Sequence, residues 1–171
     1  MKKVEVVPYR PEWPGMFREE AEKIYAVFGN EPIHLHHIGS TSVPDLPAKP
    51  IIDLLGEVKM IENVDRFNQQ LEGLGYEAMG EFGIPGRRYF RKGGDTRTHH
   101  LHIFAEGTSE VRRHLAFRDY LRHSPEKRKA YGRLKMKLAE QYPHNIEKYM
   151  DGKDPWIKEI EKEALHWAKD D

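Results

Sequence analysis

The stretch Ile38-Gly39-Ser40-Thr41-Ser42-Val43-Pro44, continued through Lys49-Pro50-Ile51-Ile52-Asp53-Leu54-Leu55, decides how the rest of this chain is read. An apolar residue, Ile38, runs directly into a Gly-Ser turn. Without a Cβ at Gly39 the backbone N–H groups can approach phosphate oxygens, and the Ser40 and Thr41 hydroxyls add donors. Asp53 then stands alone among Ile51, Ile52, Leu54 and Leu55 in what reads as a buried strand. A carboxylate in that setting is costly unless it is paired, hydrogen-bonded or bound to an ion. Asp53 is either a structural acceptor for backbone amides or the ligand of a divalent cation that bridges phosphates seated in the turn. Lys49, just before the strand, is a phosphate contact on the second reading and a solvated lysine on the first.

Working outward, Val4–Val7 reads as a short strand ended by Pro8. Trp13 and Pro14 open a helix to about Phe28, with Phe17, Ala21, Ile24 and Phe28 on one stripe and Gly29 closing it. Ile33–Ile38 and Ile51–Val58 are strands flanking the turn, which sits in a loop from Gly39 to Pro50. Ile61–Leu74 is predicted helical and stops at Gly75. Strands follow near Tyr76–Met79, Arg87–Lys92 and Arg97–Phe104, the last two joined by the hairpin signal Gly93-Gly94-Asp95. After Gly107 helices are expected over Glu110–His123, Pro125–Tyr142 and Pro155–Lys169, with a frayed end at Lys169-Asp170-Asp171. Tyr131, Leu134, Leu138 and Tyr142 give the second of these helices an apolar stripe. The expected fold class is therefore α/β (α+β): a mixed β-sheet flanked by helices, with a helical C-terminal third. One domain spans 1–171, with its sheet in about 1–107 and its helical part in about 108–171.

Composition narrows the chemistry. The 28 basic and 28 acidic residues cancel, which removes the broad positive surface expected of a protein gripping nucleic acid. There is no cysteine, so disulfides, thiolate metal sites and a cysteine nucleophile are excluded. The first residues lack the apolar stretch of a signal peptide and no window suits a membrane span, so a cytoplasmic protein is expected.

Thr98-His99-His100-Leu101-His102-Ile103 alternates like a half-buried strand, with His100 and His102 on one face about 6.6 Å apart. Together with Asp53 they would make an N,N,O site with open positions for water or phosphate. The alternatives are direct contact with substrate, or decoration of a sheet face. His34, His36 and His37 form another cluster, read as a polar strand face. Which arginine of the neighbouring strand faces the histidines is not fixed by the sequence; Arg88 is the candidate. In the helix that follows, Arg118 and Arg122 share a face and could clamp phosphate through their guanidinium forks, or could simply be salt-bridged. Lys135 and Lys153 rank below these as substrate contacts, and Tyr131 and Trp167 read as core.

The segment from His37 to Asp53, with Tyr89-Phe90, His100-Leu101-His102, Phe117-Arg118-Asp119-Tyr120-Leu121-Arg122, Tyr131 and Leu134-Lys135, resembles the GrpB family over nearly the whole chain. The resemblance implies a nucleotidyltransferase-like fold. It also implies kinship with a domain joined in some bacteria to dephospho-coenzyme A kinase. The wider nucleotidyltransferase pattern is Gly-Ser, a spacer, then Asp-x-Asp/Glu on a strand, with a third acid on another strand. Gly39, Ser40 and Asp53 match, but Leu55 occupies the place of the second acid. Glu57, four residues along, lies about 13 Å from Asp53, too far to share an ion.

The combined expectation is nucleotidyl or phosphoryl transfer on a nucleotide or phosphorylated small molecule, or binding of such a ligand without turnover. Gly39, Ser40, Thr41, Lys49, Arg88, Arg118 and Arg122 would hold phosphate or substrate. Asp53, Ser40 and Arg118 would carry the chemistry. Asp53, His100 and His102 would hold a divalent metal (Mg, Mn or Zn).

Overall fold

The computed structural model describes residues 3–169, so the last two residues of the expected frayed end lie outside it. Helix α1, Trp13–Phe28, packs one apolar stripe inward through Trp13, Ala21, Ile24 and Phe28. Strands β1 (Ile33–Ile38), β2 (Ile52–Val58), β3 (Tyr76–Ala78), β4 (Arg88–Lys92) and β5 (His99–Ala105) form one sheet in the order β1-β2-β5-β4-β3. Only the central β2–β5 pair is parallel; the others are antiparallel. The expected hairpin joins β4 to β5, with Gly93 and Gly94 at φ 106° and 57°.

Alternation along the central strands divides the sheet into two unlike faces. Ile52, Leu54 and Val58 of β2 and Leu101 and Ile103 of β5 join α1 and helix α2 (Asn68–Gly73) in the main core. The opposite face carries Ile38, Leu55 and Phe104 under Val111 of helix α3 (Ser109–His123). Asp53, His100 and His102 lie on this second face, beyond the edge of its apolar patch. Helices α4 (Pro125–Gln141) and α5 (Ile146–Lys169) pack beside α3, and their core includes Val43 and Leu46 of the Gly-Ser loop. The helical third and the loop are thus packed as one body. Tyr131 is buried there, as expected, and Trp167 packs half-buried against Tyr120 and His123.

Four expectations about elements change. Val4–Val7 is not a strand: only Val7 pairs, in a single antiparallel bridge to Ala48, while Val4 donates to the Pro143 carbonyl. Ser40–Ser42 is a turn of 3-10 helix inside the loop. The segment expected to be helical over Ile61–Leu74 is 3-10 helix over Ile61–Phe67 before α2 begins. Most consequentially, α5 begins at Ile146 and runs through Pro155 rather than starting there. Its first turn is capped by the Asn145 side chain, which accepts from the Lys148 N–H. Within α5, Gly152 lies close against Leu138: a Cβ there would lie 2.5 Å from Leu138 Cδ2.

Candidate functional site

The site forms where β1 ends and β2 begins. Gly39 sits at φ 73° and ψ −175°, a region open to glycine and costly for other residues. A Cβ added there would lie 2.6 Å from Asp53 Oδ2 and 3.2 Å from Asp53 Cγ. The turn is therefore seated directly on the carboxylate. The parallel register then pairs Asp53 with His100, and His102 follows two residues on along the same face. His100 Nδ1 lies 3.2 Å and His102 Nε2 3.5 Å from Asp53 Oδ1. Burial alone would raise the Asp53 pKa, yet hydrogen bonds from His100 and His102 and their charges hold it well below the usual carboxylate range.

The cavity around this cluster, about 260 Å³, is lined by Ser40, Thr41, Lys49, Asp53, His100, His102, Lys135 and Lys153, with Tyr149 and Met150 closing one side. Lys135 of α4 is 2% exposed, its ammonium 4.5 Å from the Tyr131 ring centroid. Burial lowers its pKa, and the charges that add to the effect, Lys153 and Lys49, are both of its own sign. Burial and the Lys49 charge likewise bring Lys153 down to about 8. Three lysines beside one carboxylate give the cavity a donor set suited to an anion.

The loop is fixed from behind by the arginines expected in the site itself. Arg118 donates to the His37 carbonyl and pairs with Asp119; Arg122 donates to the Ser42 carbonyl. Both hold the loop's backbone from α3, and neither lines the cavity. Thr41 lines it, but its hydroxyl donates to the Ile51 carbonyl and so accepts from His37 Nε2. His37, stacked on Phe17 with ring centroids 5.0 Å apart, is a buttress. Burial first, then the Arg122 and Arg118 charges, outweigh the opposing Asp53 charge and lower its pKa to about 4.

Arg88 points to the other face of the sheet, opposite Ile103, where it forks onto Asp65. The residue before it faces the histidines instead. Arg87, only 7% exposed, reaches His102 Nδ1 at 3.3 Å and is anchored by the carbonyls of Glu81 and Phe82. As guanidinium only donates, His102 Nδ1 accepts and its Nε2 carries the proton directed at Asp53. Tyr89, paired with His102 across the sheet, stacks on that ring. Residues that the sequence reading passed over are Arg87, the half-buried His114 of α3, Tyr149 and Met150. The last two were hidden because α5 begins nine residues earlier than the proline signal indicated.

As a metal centre the donor set is chemically apt: one ligand atom each from Asp53, His100 and His102 lie within 4.8 Å of one another. His100 Nε2 is buried without a hydrogen-bond partner, and the N,N,O set favours Zn or Mn over Mg, which prefers oxygen alone. An ion taking His102 Nε2 would displace the proton that Arg87 keeps there, so loading would release protons. Glu57 is no part of this cluster; it bonds His36 at 2.6 Å. Leu55, in the place of a second acid, is fully buried.

With this geometry in hand, comparison with known proteins gives the kinship. The pattern of the GrpB protein family matches residues 3–163. The chain belongs to the GrpB family. It is similar to the UPF0157 protein YqkA of Bacillus subtilis, 51% identical over 168 residues, which cover 98% of the chain and 49% of that protein. The GrpB chain thus spans about half the length of this relative. It is also similar to a dephospho-CoA kinase of Mycolicibacterium paratuberculosis, 24% identical over 190 residues, covering 96% of the chain and 47% of that protein. The crystal structure of GrpB from Enterococcus faecalis superposes with a TM-score of 0.93 at 51% identity, covering 96% of this chain and 99% of that one. The Cid1 poly(U) polymerase with Mg 3'-dATP bound superposes with a TM-score of 0.51 at 13% identity over 72% of this chain and 40% of that one. The mixed α+β architecture of this GrpB chain is nucleotidyltransferase-like. Among the described residues no helix is long and apolar enough to cross a membrane.

Proposed function

We propose that this chain is a metal-assisted nucleotidyl- or phosphoryl-transfer enzyme acting on a nucleotide or a phosphorylated small molecule. The observation that carries the reading is the Gly39 turn seated on Asp53 inside a cavity ringed by Lys49, Lys135 and Lys153. The fold likeness to Cid1 and the dephospho-CoA kinase relative both support a nucleotide-type ligand.

Ser40 and the backbone of its turn would take phosphate oxygens. The lysines would neutralise the charge of the group that leaves. Asp53 and His100, joined by His102 once it gives up its proton, would hold the ion, which when bound stabilises charge on the phosphate oxygens. Arg118 and Arg122 act indirectly on this reading, as positioning residues that keep the turn in register. In the transfer itself a bond forms from the acceptor oxygen to phosphorus as the bond from phosphorus to the leaving phosphate breaks. The acceptor's proton passes to water at the cavity mouth.

A second reading, a nucleotide- or coenzyme-binding module without turnover, is favoured by Leu55, which puts an apolar core residue where a second carboxylate would complete a two-ion centre. Incubating the protein with labelled nucleoside triphosphates and dephospho-coenzyme A, with Mn²⁺ or Zn²⁺ and a panel of small hydroxyl acceptors, separates the two. Release of pyrophosphate or phosphate that disappears in Asp53→Ala supports the enzyme. Tight, Asp53-dependent binding with no product supports the module.

A further inference from the structure

We propose a second, solvent-open transition-metal site on the same sheet face, formed by His34, His36 and Glu57. Leu35 is buried in the main core, so its neighbours His34 and His36 both project from the opposite face of β1. The antiparallel register sets His34 directly across from Glu57 of β2. Glu57 Oε2 lies 2.6 Å from His36 Nε2, and the His34 and His36 rings are 4.3 Å apart between centroids, tilted by 34°. One nitrogen from each histidine and one carboxylate oxygen all fall within 4.8 Å of one another, so small side-chain rotations would bring all three onto a single ion.

This cluster is separate from the Asp53 site. Four residues of β2, about 13 Å, divide Glu57 from Asp53, and the buried Leu55 lies between them. No nucleotide chemistry is needed to explain it. Each imidazole has a ring nitrogen that can offer a lone pair to an ion. A neutral imidazole pair with a carboxylate matches the ligand preferences of Zn²⁺, Co²⁺, Ni²⁺ and Cu²⁺, and suits Mg²⁺ and Ca²⁺ poorly. Three protein ligands leave at least one position for water or for a donor from another molecule. His34 is exposed, so the ion can enter directly from solvent. Because β1 is an edge strand, the ion would also tie that edge to its neighbour.

The test is a Co²⁺ titration of the full chain, counting bound equivalents by equilibrium dialysis and following the visible absorbance. It uses wild type, His34→Ala, Glu57→Gln and Asp53→Ala. The expected result is that His34→Ala and Glu57→Gln each bind one equivalent fewer, or bind it at least tenfold more weakly, while Asp53→Ala keeps that equivalent. Histidine-ring NMR of the wild type, which needs no variant to fold, should show His34 and His36 signals moving on addition of Zn²⁺. Unchanged stoichiometry and affinity in both variants, or His34 and His36 signals indifferent to Zn²⁺, would overturn the proposal.

Discussion

Replacing Gly39 by alanine should damage the candidate site more than the fold, and the two effects can be calculated apart. The backbone at φ 73° and ψ −175° imposes strain of about 1–3 kcal/mol on a residue with a Cβ. The alanine also restricts the unfolded chain, which returns about 0.4–1 kcal/mol. A net loss of about 1–2 kcal/mol should lower the thermal midpoint by about 2–8 °C in a chain of this length. The steric effect is more local. The new methyl would stand 2.6 Å from Asp53 Oδ2, and real Cβ contacts essentially never fall under 3.0 Å, so the carboxylate must retreat by about 0.4 Å or more. That shift acts on the 3.2 Å contact to His100 and the 3.5 Å contact to His102. Gly29→Ala is the matched control: its φ of 57° is also positive, but a Cβ there meets nothing within 4 Å. Thermal unfolding and the ring signals of His100 and His102 should be recorded for both variants. Both should lose stability, and only Gly39→Ala should move the two histidine signals. Unchanged His100 and His102 signals in a folded Gly39→Ala protein would refute the seating of the turn on Asp53.

Further outcomes follow from individual contacts. Glu20, 3% exposed, accepts from Tyr76 at 2.6 Å and from Lys92 at 3.0 Å. Tyr76→Phe should therefore cost about 1.5–3 kcal/mol in denaturant unfolding. Although burial opposes it, the Glu20 pKa is lowered by those bonds. Its contribution to stability is thus present above the ordinary glutamate value and lost as pH falls below it, a slope that Glu20→Gln should flatten. Arg88→Ala, which breaks a pair with the half-exposed Asp65 and a bond to the Arg87 carbonyl, should cost about 1 kcal/mol and leave the His102 ring signal unchanged. Arg87→Ala should shift that signal by removing the donor to Nδ1. Lys135→Met should keep or raise the thermal midpoint, by about 1 kcal/mol of stability, because burial disfavours the charged form of the lysine it replaces; the same variant should bind ATP at least tenfold more weakly in calorimetry. Lys153, with a pKa near 8 against 10.5 unfolded, should make the affinity for ATP fall as pH rises past 8. Over pH 8 to 10.5 stability should rise as the penalty of burying its charged form is relieved, since the unfolded chain then binds the extra proton.

Most of the sheet could be read from the sequence because its signals are local. The alternation in Ile33–Ile38 and His99–Phe104, the glycines after Lys92 and the apolar stripe from Phe17 to Phe28 each fix one element without outside help. The sequence put the Gly-Ser turn and Asp53 in one candidate site, but their direct contact shows only in the structure. What stayed hidden depended on register and tertiary contact. Whether Arg87 or Arg88 faces the histidines changes with a one-residue slip, which sends a side chain to the other face. Arg118 and Arg122 look like phosphate ligands in isolation, yet the loop carbonyls of His37 and Ser42 lie against α3 and take their protons. Pro155 mimics a helix start, so Tyr149 and Met150 went unread, and Lys153, ranked low as a substrate contact, was not placed in the cavity wall. Lys135 is the sharpest case. It ranked low as a substrate contact, and the packing of α4 against the loop and α5 buries it in the cavity wall.

The most direct test of the central claim is calorimetric titration of ATP, with and without Mn²⁺, into wild type, Asp53→Ala and Lys135→Met. The account predicts Mn²⁺-dependent binding to the wild type, loss of the metal dependence in Asp53→Ala, and affinity weakened at least tenfold in Lys135→Met. Binding that ignores Mn²⁺ and survives both substitutions unchanged would contradict it.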